Sequence, residues 1–165
     1  MIEIFIACLI FNLICLVIGN QFYLFCFKDK DININFLEKS IFGIIILSFV
    51  SLTINFFFPI SKLVGSLIVL LSLIILLNQI YIFKIKKNVI VFILSASILS
   101  FFLIVLSNVN RPDAGLYHLP YISLINENKI LIGSSNIHFR FGHISIIQYL
   151  SAINNNHLFS ISNIT

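Results

Sequence analysis

Charged side chains are scarce in this chain: they make up 10% of its 165 residues, and tryptophan is missing altogether. Soluble domains carry about 25% charged residues, because their surface has to contact water. Hydrophobic residues account for 59%, and the mean hydropathy is +1.09. An ordinary soluble domain is therefore excluded, and so is the nucleic-acid partner that a net charge of +4 would otherwise suggest. The basic residues flank hydrophobic runs, which favours a role in membrane topology.

Cysteine is also rare, and it offers no sign of a metal site or a disulfide framework. Cys8, Cys15 and Cys26 all lie in the first hydrophobic stretch, without the short spacing of metal ligands. We interpret them as small apolar membrane residues. The hydrophobic stretches themselves are almost free of charge, which counts against proton-coupled or ion transport.

Four hydrophobic stretches are long enough to cross a hydrocarbon core of about 30 Å at about 1.5 Å per helical residue. They cover about residues 4–27, 41–58, 63–83 and 89–106. We therefore expect an all-α integral membrane protein whose residues 1–107 form about four transmembrane helices. Lysine and arginine are more numerous in the first and third loops than in the second, which assigns those two loops to the cytoplasm. The N-terminus and residues 108–165 are then extracytoplasmic.

Residues 108–165 contain all four histidines and both arginines, and no run there reaches the length of a span. Two parts of this segment have helical periodicity, with apolar residues on one face, and we expect them to be interfacial amphipathic helices at the headgroup level. Their apolar faces comprise Tyr117, Tyr121, Leu124 and Ile125 in the first part and Ile146, Tyr149, Leu150 and Ile153 in the second. Within the spans, Asn12, Asn55 and Asn78 are expected to form hydrogen bonds between helices.

Two polar motifs in this segment carry the candidate chemistry. In the first, Asp113 follows the fourth span closely, so its carboxylate can reach a lipid headgroup and take a proton from a hydroxyl or hold a divalent ion. Tyr117 and His118 lie about one helical turn further on. In the second motif, Arg140 can grip a phosphate, and two neighbouring histidines can donate hydrogen bonds to it or move protons; these are His138 and His143.

Each of these residues also has a structural interpretation. Asp113 follows a proline and can act as the N-cap of the next helix, at about even odds with a chemical role. The histidines can be amphipathic interfacial residues, and Arg140 can pair with lipid phosphate. For any one of them taken singly, the structural role is the stronger expectation.

The two motifs together resemble a family of uncharacterised bacterial multi-spanning membrane proteins that are similar to the GT-C class of glycosyltransferases. The resemblance rests on Asp113-Ala-Gly-Leu-Tyr-His-Leu-Pro-Tyr121, on Ile132-Gly-Ser-Ser-Asn-Ile-His-Phe-Arg-Phe-Gly142, and on Phe57-Phe-Pro-Ile60 before them. The family pattern around the second motif reads Gly-Leu-Gly-Asn-Leu-His-Gly-Arg. Asn136, His138 and Arg140 keep its register, whereas Ser134, Ser135 and Phe139 replace small or glycine positions.

The resemblance implies transfer of a sugar from a polyprenyl phosphate donor at the outer face of the bacterial cytoplasmic (inner) membrane. It implies that Asp113 is the catalytic carboxylate or holds a divalent cation, and that Arg140 and the histidines bind the departing phosphate. Tyr117 and Tyr121 would pack against the sugar or the prenyl chain, and membrane lipid would surround the spans.

Because GT-C enzymes are longer and have more spans, the resemblance makes this chain the N-terminal portion of a larger protein, inactive when alone. The alternatives are a non-catalytic membrane protein, either part of a transporter or an assembly scaffold, and an inactive truncated fragment.

Overall fold

A computed structural model describes residues 1–27, 34–83, 87–107, 114–136, 139–142 and 145–155. These residues form helices and turns and contain no β-strand. The α-helices are α1 (Ile2–Phe27), α2 (Phe36–Phe57), α3 (Lys62–Phe83), α4 (Lys87–Leu106), α5 (Leu119–Glu127) and α6 (Ile146–Asn155). A π-helical turn, Ala114–His118, leads directly into α5, and two 3-10 turns, Ser134–Asn136 and Phe139–Gly142, lie between α5 and α6.

The first four helices are long and apolar enough to cross a membrane, as the sequence predicts. Their mean hydropathy over the best windows ranges from 2.0 to 3.0. Many of their large side chains are exposed; Phe49, Leu71 and Leu99, for example, are 57%, 59% and 62% exposed. Such a surface is stable when lipid is the solvent, so the protein is an all-helical, multi-pass membrane protein.

Helix α2 begins at Phe36, five residues before the predicted span, because a capping box fixes its start. The Asn35 side chain accepts a hydrogen bond from the Glu38 amide at 2.9 Å, and the Glu38 carboxylate accepts one from the Asn35 amide at 2.8 Å. This reciprocal pair satisfies two amide groups that a helix end leaves without partners. Glu38 and Lys39 therefore belong to the helix and not to the loop before it.

Chain contacts divide the protein into two compact units, of which the first comprises Met1–Leu47 and Ile68–Asn108. Within it, α1 packs on α4: the rings of Phe5 and Phe101 meet edge to face at 5.9 Å. The Asn12 amide nitrogen lies 3.5 Å from the Ser97 hydroxyl and 3.4 Å from that of Ser100. The predicted role of Asn12 between helices is thus confirmed, and polar contacts of this kind hold helices together in lipid.

The same prediction is wrong for Asn78, which is exposed and makes no side-chain hydrogen bond with the described residues. Its neighbour Gln79 makes the interhelical bonds instead, to the Val17 carbonyl at 3.1 Å and to the Gln21 side chain at 3.3 Å. Adjacent helical positions point about 100° apart, so only one of two consecutive amides can face α1.

Helices α1 and α2 approach each other closely where two glycines meet the opposite backbone. A Cβ atom on Gly19 would overlap the carbonyl oxygen of Lys39, and one on Gly43 would overlap that of Cys15. Contact between backbones needs residues without side chains, as in other membrane helix pairs. The crossing of α1 and α2 therefore depends on these two positions.

We expect Gly43→Val to weaken this crossing, because the added side chain must push the two backbones apart. Overpacking of this kind costs about 1–3 kcal/mol, which corresponds to a fall of about 5 °C in the midpoint of thermal unfolding. In a Cys26→Ala background, which removes the exposed thiol, a thiol-reactive fluorogenic dye can follow unfolding in detergent, since Cys15 is only 1% exposed in the folded protein. Ser95→Val, at an exposed position of α4, is the control. Equal midpoints for the two variants would contradict the close crossing.

The second unit comprises Ser48–Leu67 and Val109–Thr165. In it, α5 buries Tyr121 and Ile125, and α6 buries Tyr149, Leu150 and Ile153, on the faces that the periodicity predicts. The two helices pack against each other, with the tyrosine hydroxyls 3.5 Å apart. These apolar faces are therefore covered by protein to a large extent, while the position of the helices at the headgroup level stays a prediction.

Candidate functional site

The turn between α2 and α3, here called the Pro59 turn (residues 58–61), holds the C-terminal end of α5. The amide of Ile60, which is fully buried, donates to the Ile125 carbonyl at 3.0 Å. The Asn55 side chain, 1% exposed, donates to the carbonyls of Ile125 at 3.3 Å and Asn128 at 3.0 Å. The last carbonyls of a helix have no hydrogen-bond donors inside the helix, and Asn55 and Ile60 provide donors for them here. Helix α5 is thereby anchored by its end.

The backbone completes this anchor. The Ile130 amide donates to the Asn55 carbonyl at 2.8 Å, so the chain leaving α5 is also bound to α2. The prediction that Asn55 forms a hydrogen bond to another helix is confirmed, although its partners lie in the segment after the spans and not in another span. The contact agrees with a topology in which the Pro59 turn and residues 114–155 lie on the same side of the membrane.

At the other end of α5, the π-helical turn displays Tyr117 and His118 immediately after Asp113. Tyr117 is half-buried and His118 is exposed, and their rings stack obliquely with centroids 4.3 Å apart. Helix α5 has no side-chain cap at His118, because the π-helical turn continues into it. Wide turns of this kind occur often at functional sites. The chain is thus helical from Ala114 onwards.

A hydrogen bond from the Ser145 amide orients the Gln148 side chain at the start of α6 and so determines the tautomer of neutral His118. The Gln148 side-chain oxygen accepts a hydrogen bond from the Ser145 amide at 3.2 Å, so its amide nitrogen is the atom that faces His118 Nδ1, also at 3.2 Å. An amide nitrogen can only donate, which makes Nδ1 the acceptor. Neutral His118 then carries its proton on Nε2, and this N–H can donate to a ligand oxygen.

Tyr121 joins the first motif to the second. Its ring lies 5.4 Å from that of Phe141, which directly follows Arg140 and is 7% exposed. The Ser134 hydroxyl donates to the Phe141 carbonyl at 3.2 Å and holds the turn in place. Burial, together with the adjacent Tyr149 hydroxyl, raises the pKa of Tyr121, so this phenol stays neutral over the physiological range. The backbone that carries Arg140 is therefore bound to the helix that follows Asp113.

The burial of Tyr121 bears on its predicted role. With 6% of its surface exposed, Tyr121 lies beneath the residues that a ligand can reach. Its packing against Phe141 and Tyr149 gives it a structural role, and the contact of Tyr117 and Tyr121 with a sugar or prenyl chain stays a prediction.

Several predicted site residues lie outside the described residues: Asp113, His138 and His143. Arg140 lies in the turn Phe139–Gly142, of which the backbone is described at this position and the side chain is not. In the described part of the chain, no three His, Cys, Asp or Glu side chains gather as a metal site would require. The divalent cation that the resemblance implies stays a prediction, because Asp113, its proposed ligand, lies outside the described residues.

Sequence reasoning did not foresee the roles of Gln148 and Phe141. The pattern Ser145-x-x-Gln148 is a capping-box signal that could have marked the start of α6. Nothing in the sequence indicates that the same glutamine reaches His118, 30 residues away along the chain, or that Phe141 packs on Tyr121.

Comparisons with curated proteins and with solved structures give no match. One protein family matches residues 1–164 and is described as a domain of unknown function, DUF8201. The matched range includes all four spans, the Pro59 turn and both motifs. The chain belongs to the DUF8201 family of domains of unknown function.

Proposed function

We propose that this chain is the N-terminal portion of a GT-C-like membrane glycosyltransferase, which transfers a sugar from a polyprenyl phosphate donor at the outer face of the bacterial cytoplasmic membrane. One observation carries the proposal: the Tyr121–Phe141 contact at 5.4 Å, which brings the Asp113 motif and the Arg140 motif together. The described parts of the two motifs, residues 114–121 and 139–142, thus belong to one unit, and the candidate base and phosphate ligand are 27 residues apart in sequence.

In the proposed reaction, the Asp113 carboxylate takes the proton of the acceptor hydroxyl. At the same time, the hydroxyl oxygen attacks the anomeric carbon of the sugar. The bond from that carbon to the phosphate oxygen breaks, and the negative charge passes to the polyprenyl phosphate. Arg140 and the Nε2–H of His118 stabilise this charge, and His138 and His143 are further donors from the second motif. Fixed donors at the point where charge develops are a large source of rate enhancement.

The membrane setting suits such a donor. The prenyl chain is as apolar as lipid and can lie among the exposed side chains where α2 ends and α3 begins, which include Phe57 and Leu63 and belong to the same unit as the two motifs. Tyr117, on the half-buried side of the π-helical turn, offers an aromatic face for the sugar. The anchor formed by Asn55 and Ile60 keeps this segment bound to the ends of α2 and α3.

Sugar transfer can be measured in membranes from cells that express the whole native gene to which this chain belongs. Polyprenyl phosphate glucose and polyprenyl phosphate mannose, each with a ¹⁴C-labelled sugar, are the donor probes. We expect label to move from at least one donor into an acceptor fraction, and not in membranes that lack the protein. A non-catalytic scaffold would leave all label on the lipid.

A further inference from the structure

The first unit contains an elongated cavity of about 520 Å³ between its helices. Its walls are formed by residues from α1, α2, α3 and α4, and along α1 they run from Leu9 to Leu24. The rise along a helix from residue 9 to residue 24 is about 22 Å, which is about three quarters of a hydrocarbon core of about 30 Å. The volume lies within the range of about 300–1,000 Å³ that small-molecule sites occupy.

Polar groups are confined to one end of this cavity. Asn20, Lys39 and Gln79 line that end, and the remainder is lined by aliphatic side chains and Phe36. Successive spans run in opposite directions, so four helix ends meet there. They are the part of α1 with residues 20 and 24, the first turns of α2, the end of α3 and the start of α4. The sequence assigns this end, next to the first and third loops, to the cytoplasm.

Lys39 is held at the polar end by neutral groups. Its ammonium donates to the Asn20 side-chain oxygen at 3.0 Å and lies 4.4 Å from the centre of the Tyr23 ring. Neither partner carries a charge, and among the described residues no carboxylate oxygen comes within 4.0 Å of its nitrogen. Glu38 uses its carboxylate in the capping box. A cation at a membrane helix end without an anion beside it is costly, and an anionic ligand would compensate it.

We propose that this cavity binds one anionic phospholipid, with an acyl chain along the aliphatic walls and the phosphate on Lys39. The elongated shape of the cavity fits an acyl chain, and the positive charge of Lys39 favours an anionic headgroup. The cavity is built only from residues 9–39 and 76–94, and none of these belongs to the Asp113 or Arg140 motif. The proposal is therefore independent of the proposed glycosyltransferase.

Native mass spectrometry of the detergent-solubilised chain, titrated with dioleoyl phosphatidylglycerol, tests this site. Dioleoylglycerol has the same chains and no phosphate, and inorganic phosphate has no chains. We expect one phosphatidylglycerol to bind about tenfold more tightly than dioleoylglycerol, as a charge-assisted hydrogen bond provides. Displacement by millimolar inorganic phosphate would identify a site for the free anion and overturn the lipid assignment.

Three variants separate the headgroup from the chain. In Lys39→Gln the preference for phosphatidylglycerol should disappear, whereas Lys87→Gln, which removes an exposed charge from the start of α4, should keep it. Leu13→Trp fills the aliphatic part and should prevent binding of both lipids with Lys39 intact. Equal binding in wild type, Lys39→Gln and Leu13→Trp would overturn the proposal. If Lys39→Gln does not fold, two other variants still test the site. Lys39→Arg must retain phosphatidylglycerol binding, and Leu13→Trp must lose it.

Discussion

Replacement of Asp113 by asparagine is expected to abolish sugar transfer while membrane insertion is unchanged. Asparagine has nearly the same size and keeps one acceptor oxygen, but it cannot take a proton or carry a negative charge. A general base contributes about 100-fold to 10,000-fold to a rate, so the remaining transfer should be near background. The helical chain begins at Ala114, so a cap at position 113 would be retained by asparagine, which caps as well as aspartate.

The control for this variant is Glu127→Gln, which removes the exposed carboxylate at the end of α5. Its only described contact is a long one, 3.4 Å from the Ser123 hydroxyl. We expect transfer by Glu127→Gln to equal that of the wild type in the assay with the two ¹⁴C donors. Wild-type transfer by Asp113→Asn would remove the base from the mechanism and leave Asp113 with its capping role.

Replacement of Asn55 by leucine is expected to release the segment after the spans. The variant loses the bonds to Ile125 and Asn128. The Ile125 carbonyl keeps the Ile60 amide as its donor, whereas the Asn128 carbonyl loses its side-chain donor beside an apolar leucine. An unpaired buried group costs about 1–3 kcal/mol, which is a large part of the stability of a small unit. The local consequence should be stronger than the global one, because the spans keep their own contacts.

Limited trypsin digestion reports this release directly. Lys129 is exposed and lies between two residues whose backbones are bound to Asn55. We expect cleavage after Lys129 to be much faster in Asn55→Leu than in the wild type. Asn78→Leu makes the same substitution at an exposed position of α3 that has no side-chain bond to the described residues, and it should cleave at the wild-type rate. Equal rates for Asn55→Leu and Asn78→Leu would refute the anchor.

The sequence predicts the parts of this fold that local patterns determine. The four spans follow from uninterrupted apolar runs, and the buried faces of α5 and α6 follow from helical periodicity. Helix starts were less accurate: α2 begins at Phe36 because Asn35 and Glu38 cap each other, a pattern that apolar counting does not include. The turn at Gly133 has a positive φ of 83°, which glycine adopts readily.

Pairings between distant residues could not be predicted. The partners of Asn55 lie 70 and 73 residues further along the chain, and those of Asn12 lie 85 and 88 residues away. A single sequence shows that a polar side chain in a span needs a partner, but it does not identify that partner. The prediction for Asn78 failed for the same reason, since the packing of α3 on α1 makes the neighbouring Gln79 the residue that faces α1.

The meeting of the two motifs is the central claim, and cross-linking of Tyr121→Cys to Phe141→Cys tests it most directly. The native cysteines are replaced by alanine, the membranes are treated with the shortest bis-methanethiosulfonate, and tryptic peptides are identified by mass spectrometry. Because the two native rings lie 5.4 Å apart, we predict a peptide containing position 121 joined to one containing position 141. The matched pair at positions 121 and 139, where Phe139 is 68% exposed, should cross-link much less. Equal cross-linking of both pairs, or of neither, would contradict the arrangement.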